Sequence, residues 1–436
     1  MTIETIFALS SARGKAGVSV FRLSGSRSLK IAKSLACSTL ELVPRTLSLV
    51  KLKDPETKEE IDDAMLVYFK SPASFTGEDV IEIHTHGSIA VTKMLTEAIL
   101  KQEGVRYAEA GEFTKRSVLN GKMDLTSAEG LIDLINSETI LQQKQALNQM
   151  RGALFERSDE WRSQLVEIMS LVEAFIDFPD EEIPEEVLTK AEVKISKIHK
   201  SLQAYLNDKR KGERLRNGLK LTIYGKPNVG KSSLLNYLSK REVAIVSDIS
   251  GTTRDIIETH LDIGGYPIIL TDTAGIHEHT KDAIEIEGIK RAKQAIDEAD
   301  IKIHMQDARE FLSVAEVEQD TIYVINMTDL KPIDESEDYV KISVKKQIGL
   351  EVLLEQISQK AESLAGTGEG AVITNNRQRI AMKKTLEALE RVNLRGDIVL
   401  AAEDIRLASR QLAILIGKID VEDVLEKVFS TFCIGK

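Results

Sequence analysis

Apolar and polar positions change their spacing along this chain, and the changes mark out its parts. In residues 1–118 short stretches alternate. Gly17 to Leu23, Ala64 to Phe69 and Asp79 to His84 predict strands, and Ala90 to Leu100 predicts a helix. From Ser127 the spacing becomes helical, through Leu131, Leu134 and Ile135, then Leu165, Ile168, Leu171, Val172 and Phe175. Phe178-Pro179 interrupts that pattern and Leu188 to Leu206 resumes it. Compact apolar runs then follow one another: Leu219 to Tyr224, Pro267 to Leu270 and Ile322 to Ile325, each read as a buried strand. Gly264-Gly265 predicts a two-residue hairpin, so one antiparallel strand joins an otherwise parallel sheet. Gly366-Thr367-Gly368-Glu369-Gly370 is a linker, and helical spacing returns from Asn376 to Val428. No internal repeat is visible.

These stretches predict a multidomain protein, part α/β and part all-α. An N-terminal α+β domain covers 1–118, and a helical domain comes in two pieces, 119–216 and 373–436. A Ras-like α/β domain, 217–372, is inserted between those pieces. Helices before 215 and after 375 are expected to pack together, which brings the ends of the insertion close.

Composition narrows the class. At 42% apolar and 29% charged the chain is globular. No apolar run approaches the roughly eighteen residues of a membrane span, and the start lacks a signal pattern, so a cytoplasmic protein without a membrane partner is expected. Two cysteines, Cys37 and Cys433, are too few for a disulfide framework. A net charge of −11 argues against a sheath of nucleic acid but not against a local basic patch. Lys209, Arg210, Lys211, Arg214 and Arg216 form such a run, either an RNA contact or a solvated hinge.

The chemistry concentrates in the inserted domain. Gly225-Lys226-Pro227-Asn228-Val229-Gly230-Lys231-Ser232 follows a strand and, with Ser233, opens a helix, which is the context a phosphate-binding loop needs. Its backbone N–H groups would surround a phosphate, Lys231 would reach the outer phosphates, and Ser232 would hold Mg²⁺. Downstream, Gly251-Thr252-Thr253-Arg254-Asp255 occupies the place of a first switch, with Thr253 completing the Mg²⁺ shell and Ser247-Asp248-Ile249-Ser250 before it among the expected nucleotide-binding residues. Asp272-Thr273-Ala274-Gly275 ends one apolar run, and Asn326-Met327-Thr328-Asp329 ends another. Asp329 would accept two hydrogen bonds from guanine, and Ser343-Val344-Lys345 completes the set. Loops in this order on strand ends predict a GTP-binding switch.

With these loops in place, the chain resembles the tRNA-modification GTPases of the MnmE (TrmE) family over nearly its whole length. The marks are Ser74-Phe75-Thr76-Gly77-Glu78-Asp79, Gly111-Glu112-Phe113-Thr114, Asn120-Gly121-Lys122-Met123-Asp124-Leu125, Ile176 to Glu182, the GTPase loops, and the terminal Phe432-Cys433-Ile434-Gly435-Lys436. The resemblance implies a tetrahydrofolate-binding N-terminal domain that also forms a homodimer, a helical domain bearing the Cys motif, and a K⁺-assisted GTPase domain. It further implies a heterotetramer with an FAD-containing MnmG (GidA) partner. Together they would build an aminomethyl or carboxymethylaminomethyl group on C5 of the wobble uridine of certain tRNAs, with a 5-formyl-tetrahydrofolate-type carbon donor.

Site residues follow from that resemblance. Ras-like enzymes orient water with a Gln where this chain has Ile276. The family pattern places a catalytic Glu in the second switch, here Glu285, with Glu287 as the weaker alternative; on residue physics alone, Glu285 reads as a solvated acid at a helix start. No arginine finger is evident from spacing. The resemblance puts K⁺ at Asn228 and in the loop through Ser247, Ile249 and Thr252, with Ser247 standing where Thr is expected. Met327 replaces the usual Lys of the guanine loop: its stem can lie along the base, but it has no ammonium to brace the phosphate loop, so weaker nucleotide binding is expected. Val344 replaces the usual Ala. The folate contacts carry over to Arg22, Glu82, Lys122 and Lys436, while Gly14-Lys15-Ala16-Gly17 departs from the family's glycine- and proline-richer rim. Cys433 is a candidate catalytic thiol or a buried structural one. His84 and His86 share a strand face, but two ligands are too few for a metal site. A regulatory GTPase of ribosome assembly, and a folate-dependent enzyme whose GTPase only regulates, stand as rival readings.

Overall fold

The computed structural model describes residues 4–37, 41–177, 185–240, 258–271, 293–311, 318, 320–333, 338–368, 373–419, and 425, 428, 429, 432 and 435. The chain divides into two compact units, residues 1–132 with 413–436, and residues 133–412.

In the first unit, alternating side chains build a six-stranded sheet of order β3-β4-β5-β2-β1-β6. The strands are β1 (Thr5–Leu9), β2 (Ala16–Ser24), β3 (Ser48–Lys53), β4 (Glu60–Phe69), β5 (Val80–Gly87) and β6 (Val105–Tyr107). Every pairing is antiparallel except β1 with β6. One face carries Phe7, Phe21, Leu23, Leu66, Ile81 and Ile83 into a core shared with helices α1 (Ser28–Leu35) and α2 (Ile89–Leu100). The period of two sends Ile6, Ala8, Arg22, Glu82 and His84 to the opposite face. There Ile6 and Ala8 meet Ala108 and Phe113, the latter from helix α3 (Glu112–Leu119).

An ion cluster fixes α3 to the sheet. Arg116, with a side chain 8% exposed, donates to Glu78 at 3.0 Å, to Glu112 at 2.9 Å and to the Glu4 carbonyl at 2.9 Å. Arg106 adds a second bond to Glu112 at 2.7 Å. Burial pushes the Glu112 carboxyl up, but Arg106, the Glu109 amide and Arg116 outweigh it and hold it below the ordinary range.

The second unit begins within helix α4 (Leu125–Ile135) and holds helices α5 (Ile140–Met150), α6 (Ala153–Asp177), α7 (Glu185–Leu206) and α8 (Lys211–Asn217). A six-stranded sheet of order β12-β11-β10-β7-β9-β8 follows. Its strands are β7 (Leu219–Tyr224), β8 (Glu258–Ile263), β9 (Tyr266–Thr271), β10 (Ile301–Asp307), β11 (Thr321–Asn326) and β12 (Val340–Lys341). All pairings are parallel except the β8–β9 hairpin, which turns at Gly264-Gly265 as expected. Helices α9 (Lys231–Lys240) and α10 (Leu350–Ala365) bury Leu234, Leu238, Leu353 and Ile357 against one sheet face.

The helical spacing expected from Asn376 onward is broken. Helix α11 (Asn376–Arg391) stops before the turn at 392–397, and α12 (Ile398–Ile416) starts anew. The Asn393 side chain accepts from the Arg395 amide in that turn, and Asp397 caps α12 through the Val399 and Leu400 amides. Arg379 in α11 donates to the Leu206 carbonyl, to Asp208 at 2.8 Å and to Glu213, so helices on either side of the insertion do pack together. Part of the basic run is taken up by ion pairs within the unit. Arg210 pairs with Glu213, Arg214 with Asp300 at 3.1 Å, and Arg216 with Asp133 at 2.6 Å. Among the described residues no helix is long and apolar enough to cross a membrane.

The Glu112 carboxyl is held low only in the folded unit, so its stabilisation is present above the ordinary glutamate range and is lost as pH falls through the lowered value. Arg116→Met takes the shared guanidinium from buried Glu112 and partly buried Glu78, leaving them Arg106 and Ser24 as partners, and is expected to destabilise the first unit by about 3 kcal/mol at neutral pH. The loss of protection should appear in amide hydrogen exchange of residues 105–119 and shrink as the pH is lowered; unchanged protection would contradict the role given to the cluster.

Candidate active site

Parallel strands end on one edge of the second unit's sheet, so the loops after β7 and β11 leave the same edge, with β10 between them. Between β7 and α9 the phosphate loop runs close to other backbone. Gly225 has φ 148° and Gly230 φ 100°. A Cβ at Gly225 would sit 2.2 Å from the Met305 carbonyl oxygen, and one at Gly230 would sit 2.3 Å from Asn326 Nδ2. Neither position admits a side chain. Val229 is buried in the sheet core, whereas Asn228, Ser232 and Ser233 are exposed. Lys231 Nζ donates to the Gly225 carbonyl at 2.9 Å and the Lys226 carbonyl at 2.8 Å, and burial pushes its ammonium down.

Asn326 joins the loops. Its buried side chain donates from Nδ2 to the Val229 carbonyl at 2.9 Å and accepts at Oδ1 from the Val344 amide at 3.1 Å. Asp329 Oδ1 accepts from Ser343 Oγ at 2.6 Å, and that hydroxyl accepts from the Lys346 amide at 3.2 Å. Thr328 donates through its amide and hydroxyl to the Ile342 carbonyl, and Val344 packs on the sheet core beside exposed Lys345. The structure thus brings together the phosphate loop, Asn326, Asp329, Ser343 and Val344. Ser247 to Thr253, Asp272 to Gly275, Ile276, Glu285 and Glu287 lie outside the described residues; Thr271, just before Asp272, pairs with Thr222 of the strand that feeds the phosphate loop.

A second cluster lies on the first unit's sheet. Register sets Arg22 opposite Glu82, and Arg22 donates to Glu82 Oε1 from Nε at 3.1 Å and Nη2 at 2.9 Å. The guanidinium stands over the rings of Phe75 at 5.5 Å and Phe113 at 5.8 Å. Glu82 Oε2 lies 3.4 Å from His84 Nε2, and His86 faces Asp62 at 2.8 Å. Each histidine has a carboxylate beside it, and among the described residues no group of His, Cys, Asp and Glu is arranged to hold a metal. Lys122 packs its stem near Gly77, in the loop that carries Phe75. Ser10 Oγ donates to the Gly435 carbonyl at 3.1 Å, so the terminal motif touches the end of β1; Cys433 and Lys436 themselves lie outside the described residues. Phe75, Phe113 and Arg116 escaped sequence reasoning. Phe75 and Phe113 lie in stretches that stood out as family marks and Arg116 lies in none, and no spacing tied any of them to the sheet face that bears Arg22.

Gly230→Ala drives a methyl into the Asn326 amide and breaks the clamp between the loops. Affinity for a fluorescent guanosine diphosphate should fall at least about tenfold, with circular dichroism unchanged. Full affinity would show that the clamp does not shape the pocket.

Family models add the wider context. One described as the MnmE helical domain matches residues 125–433, and one described as the GTP-binding protein TrmE N-terminus matches residues 5–122. The tRNA modification GTPase MnmE of Rickettsia bellii (strain RML369-C) is 54% identical over 450 residues, covering 100% of each chain. That of Orientia tsutsugamushi (strain Boryong) is 53% identical over 455 residues, again with 100% of each covered. Among solved structures, the G domain of the T. maritima FeoB iron transporter overlaps 33% of this chain and 98% of its own, at 28% identity and a TM-score of 0.25, too loose an overlap to add weight. By its two matched domains and its full-length identity to these relatives, the chain belongs to the tRNA modification GTPase MnmE family.

Proposed function

We propose that this chain is a K⁺-dependent, cytoplasmic, homodimeric GTPase. With an FAD-containing MnmG partner it would form the aminomethyl or carboxymethylaminomethyl group at C5 of the wobble uridine of certain tRNAs. The observation that supports this most is the Asn326 clamp, which sets the guanine-reading Asp329 and the phosphate loop in one frame.

Within that frame each residue has a role. Backbone amides of 228–233 and the Lys231 ammonium bind the phosphates, and Asp329 reads the guanine edge. Asn326, Ser343, Val344 and Lys345 shape the base pocket. The first switch, Gly251 to Asp255, with Ser247 to Ser250 before it, and Asp272-Thr273-Ala274-Gly275 meet the third phosphate. Ser232 is exposed in the first turn of α9 and fits Mg²⁺ together with Thr253. Exposed Asn228, at φ 63°, fits K⁺ together with Ser247, Ile249 and Thr252. When bound, these ions offset the charge that builds between the phosphates. Glu285 orients the attacking water, since Ile276 offers no polar atom. The Arg22–Glu82 pair between two rings fits a folate, whose carboxylates and pterin N–H edge need a cation and a carboxylate, with Lys122 and Lys436 as further cations. Cys433 serves the modification chemistry rather than hydrolysis.

Single-turnover hydrolysis should be fast in KCl and slow in NaCl, and Glu285→Ala should cut it by about 10²–10⁴. Cys433→Ser should keep hydrolysis yet fail to restore modified wobble uridine in bulk tRNA of a deletion strain. Equal rates in the two salts would refute the cation role, and normal tRNA nucleosides in the deletion strain would refute the function.

A further inference from the structure

The guanine loop lacks its usual lysine, and an arginine of a neighbouring element lies against the methionine that replaces it. After β10 the chain makes a short turn, Ala308–Glu310. Asp307, the last residue of β10, is paired in register with Asn326, so the turn borders the guanine loop. Asp307 is buried and its carboxylate grips Arg309, accepting from Nε at 3.1 Å on each oxygen and from Nη2 at 2.6 Å. The same Nη2 lies 3.6 Å from Met327 Sδ. A lysine at 327 would carry its ammonium just beyond the atom this sulfur replaces. The Arg309 guanidinium therefore lies against the side chain that stands in for the lysine. The next residue addresses the other task of that lysine: Glu310 Oε2 lies 3.8 Å from Nζ of Lys226 in the phosphate loop.

We propose that Arg309 is a guanine-nucleotide-binding residue, supplying in trans of the loop the positive charge that Met327 cannot. Met327 covers the base with its thioether stem. Arg309, held flat by Asp307 and 57% exposed, offers a planar cation to the base and ribose side of the pocket. Glu310 and Lys226 tether the turn to the phosphate loop, a weak surface pair on its own. The Asp307 carboxyl is held low by Arg309, so this grip persists throughout the neutral range. This inference rests on reading the pocket as a guanine site, and it alters the expectation of weak binding drawn from Met327 alone.

The test is a double-mutant cycle on the full chain, read by titration with fluorescent guanosine diphosphate and checked by melting temperature. Arg309→Ala should weaken binding about three- to tenfold. Arg309→Gln, which keeps a donor for Asp307 and removes the charge, should lose as much. Met327→Lys should restore the Arg309→Ala protein to within about twofold of the parent, while adding less to the parent itself. Unchanged affinity in Arg309→Ala or Arg309→Gln would overturn the proposal. So would an equal gain from Met327→Lys in both backgrounds, because the two cations would then act independently. No binding by the parent chain would instead overturn the guanine site itself.

Discussion

The nucleotide site hangs on one buried carboxamide. Asn326 ends β11, an interior strand, and the residue is 3% exposed. A primary amide has donors on one side and acceptors on the other. Here the donor side holds the phosphate loop at Val229, and the acceptor side holds the last nucleotide loop at Val344. Leaving either end unpaired in a buried position costs about 1–3 kcal/mol, so the loops move together or not at all. Gly230 is the geometric counterpart, since only a residue without Cβ lets the loop approach this amide.

The first unit uses a related arrangement with charges. Arg116 gathers Glu78 and Glu112 beneath the loop that supplies Phe75, and Arg22 lies against Phe75 and Phe113. Ser24 extends the cluster, bonding Thr76 and Glu78 at 2.7 Å each. The Arg22–Glu82 pair thus stands beside rings whose own loop and helix are fixed by this cluster.

Much of this was legible in the sequence, for specific reasons. A phosphate loop constrains glycine spacing, flanking strand and following helix at once, so Gly225 to Ser232 declared itself. Gly264-Gly265 declared the hairpin, because a two-residue turn needs left-handed backbone at both positions. Contacts between distant residues were not legible. Arg379 reaches Glu213 across 166 positions, and Arg22 meets Phe113 only because a sheet and a helix fold together. The break at 392–397 was hidden because helical spacing continues on both sides of it. Arg309 looked like any arginine beside an aspartate; only the fold sets it against Met327, the position where the sequence had shown a departure.

The central claim is that Asn326 makes a guanine-nucleotide pocket out of separate loops. Titration of guanosine diphosphate into Asn326→Ala tests it most directly, with hydrogen exchange of β11 as the control for folding. The account predicts a loss of affinity of at least about thirtyfold, from two unpaired backbone groups, with exchange protection of Thr321 to Ile325 retained. Parental affinity in a folded Asn326→Ala protein would contradict it.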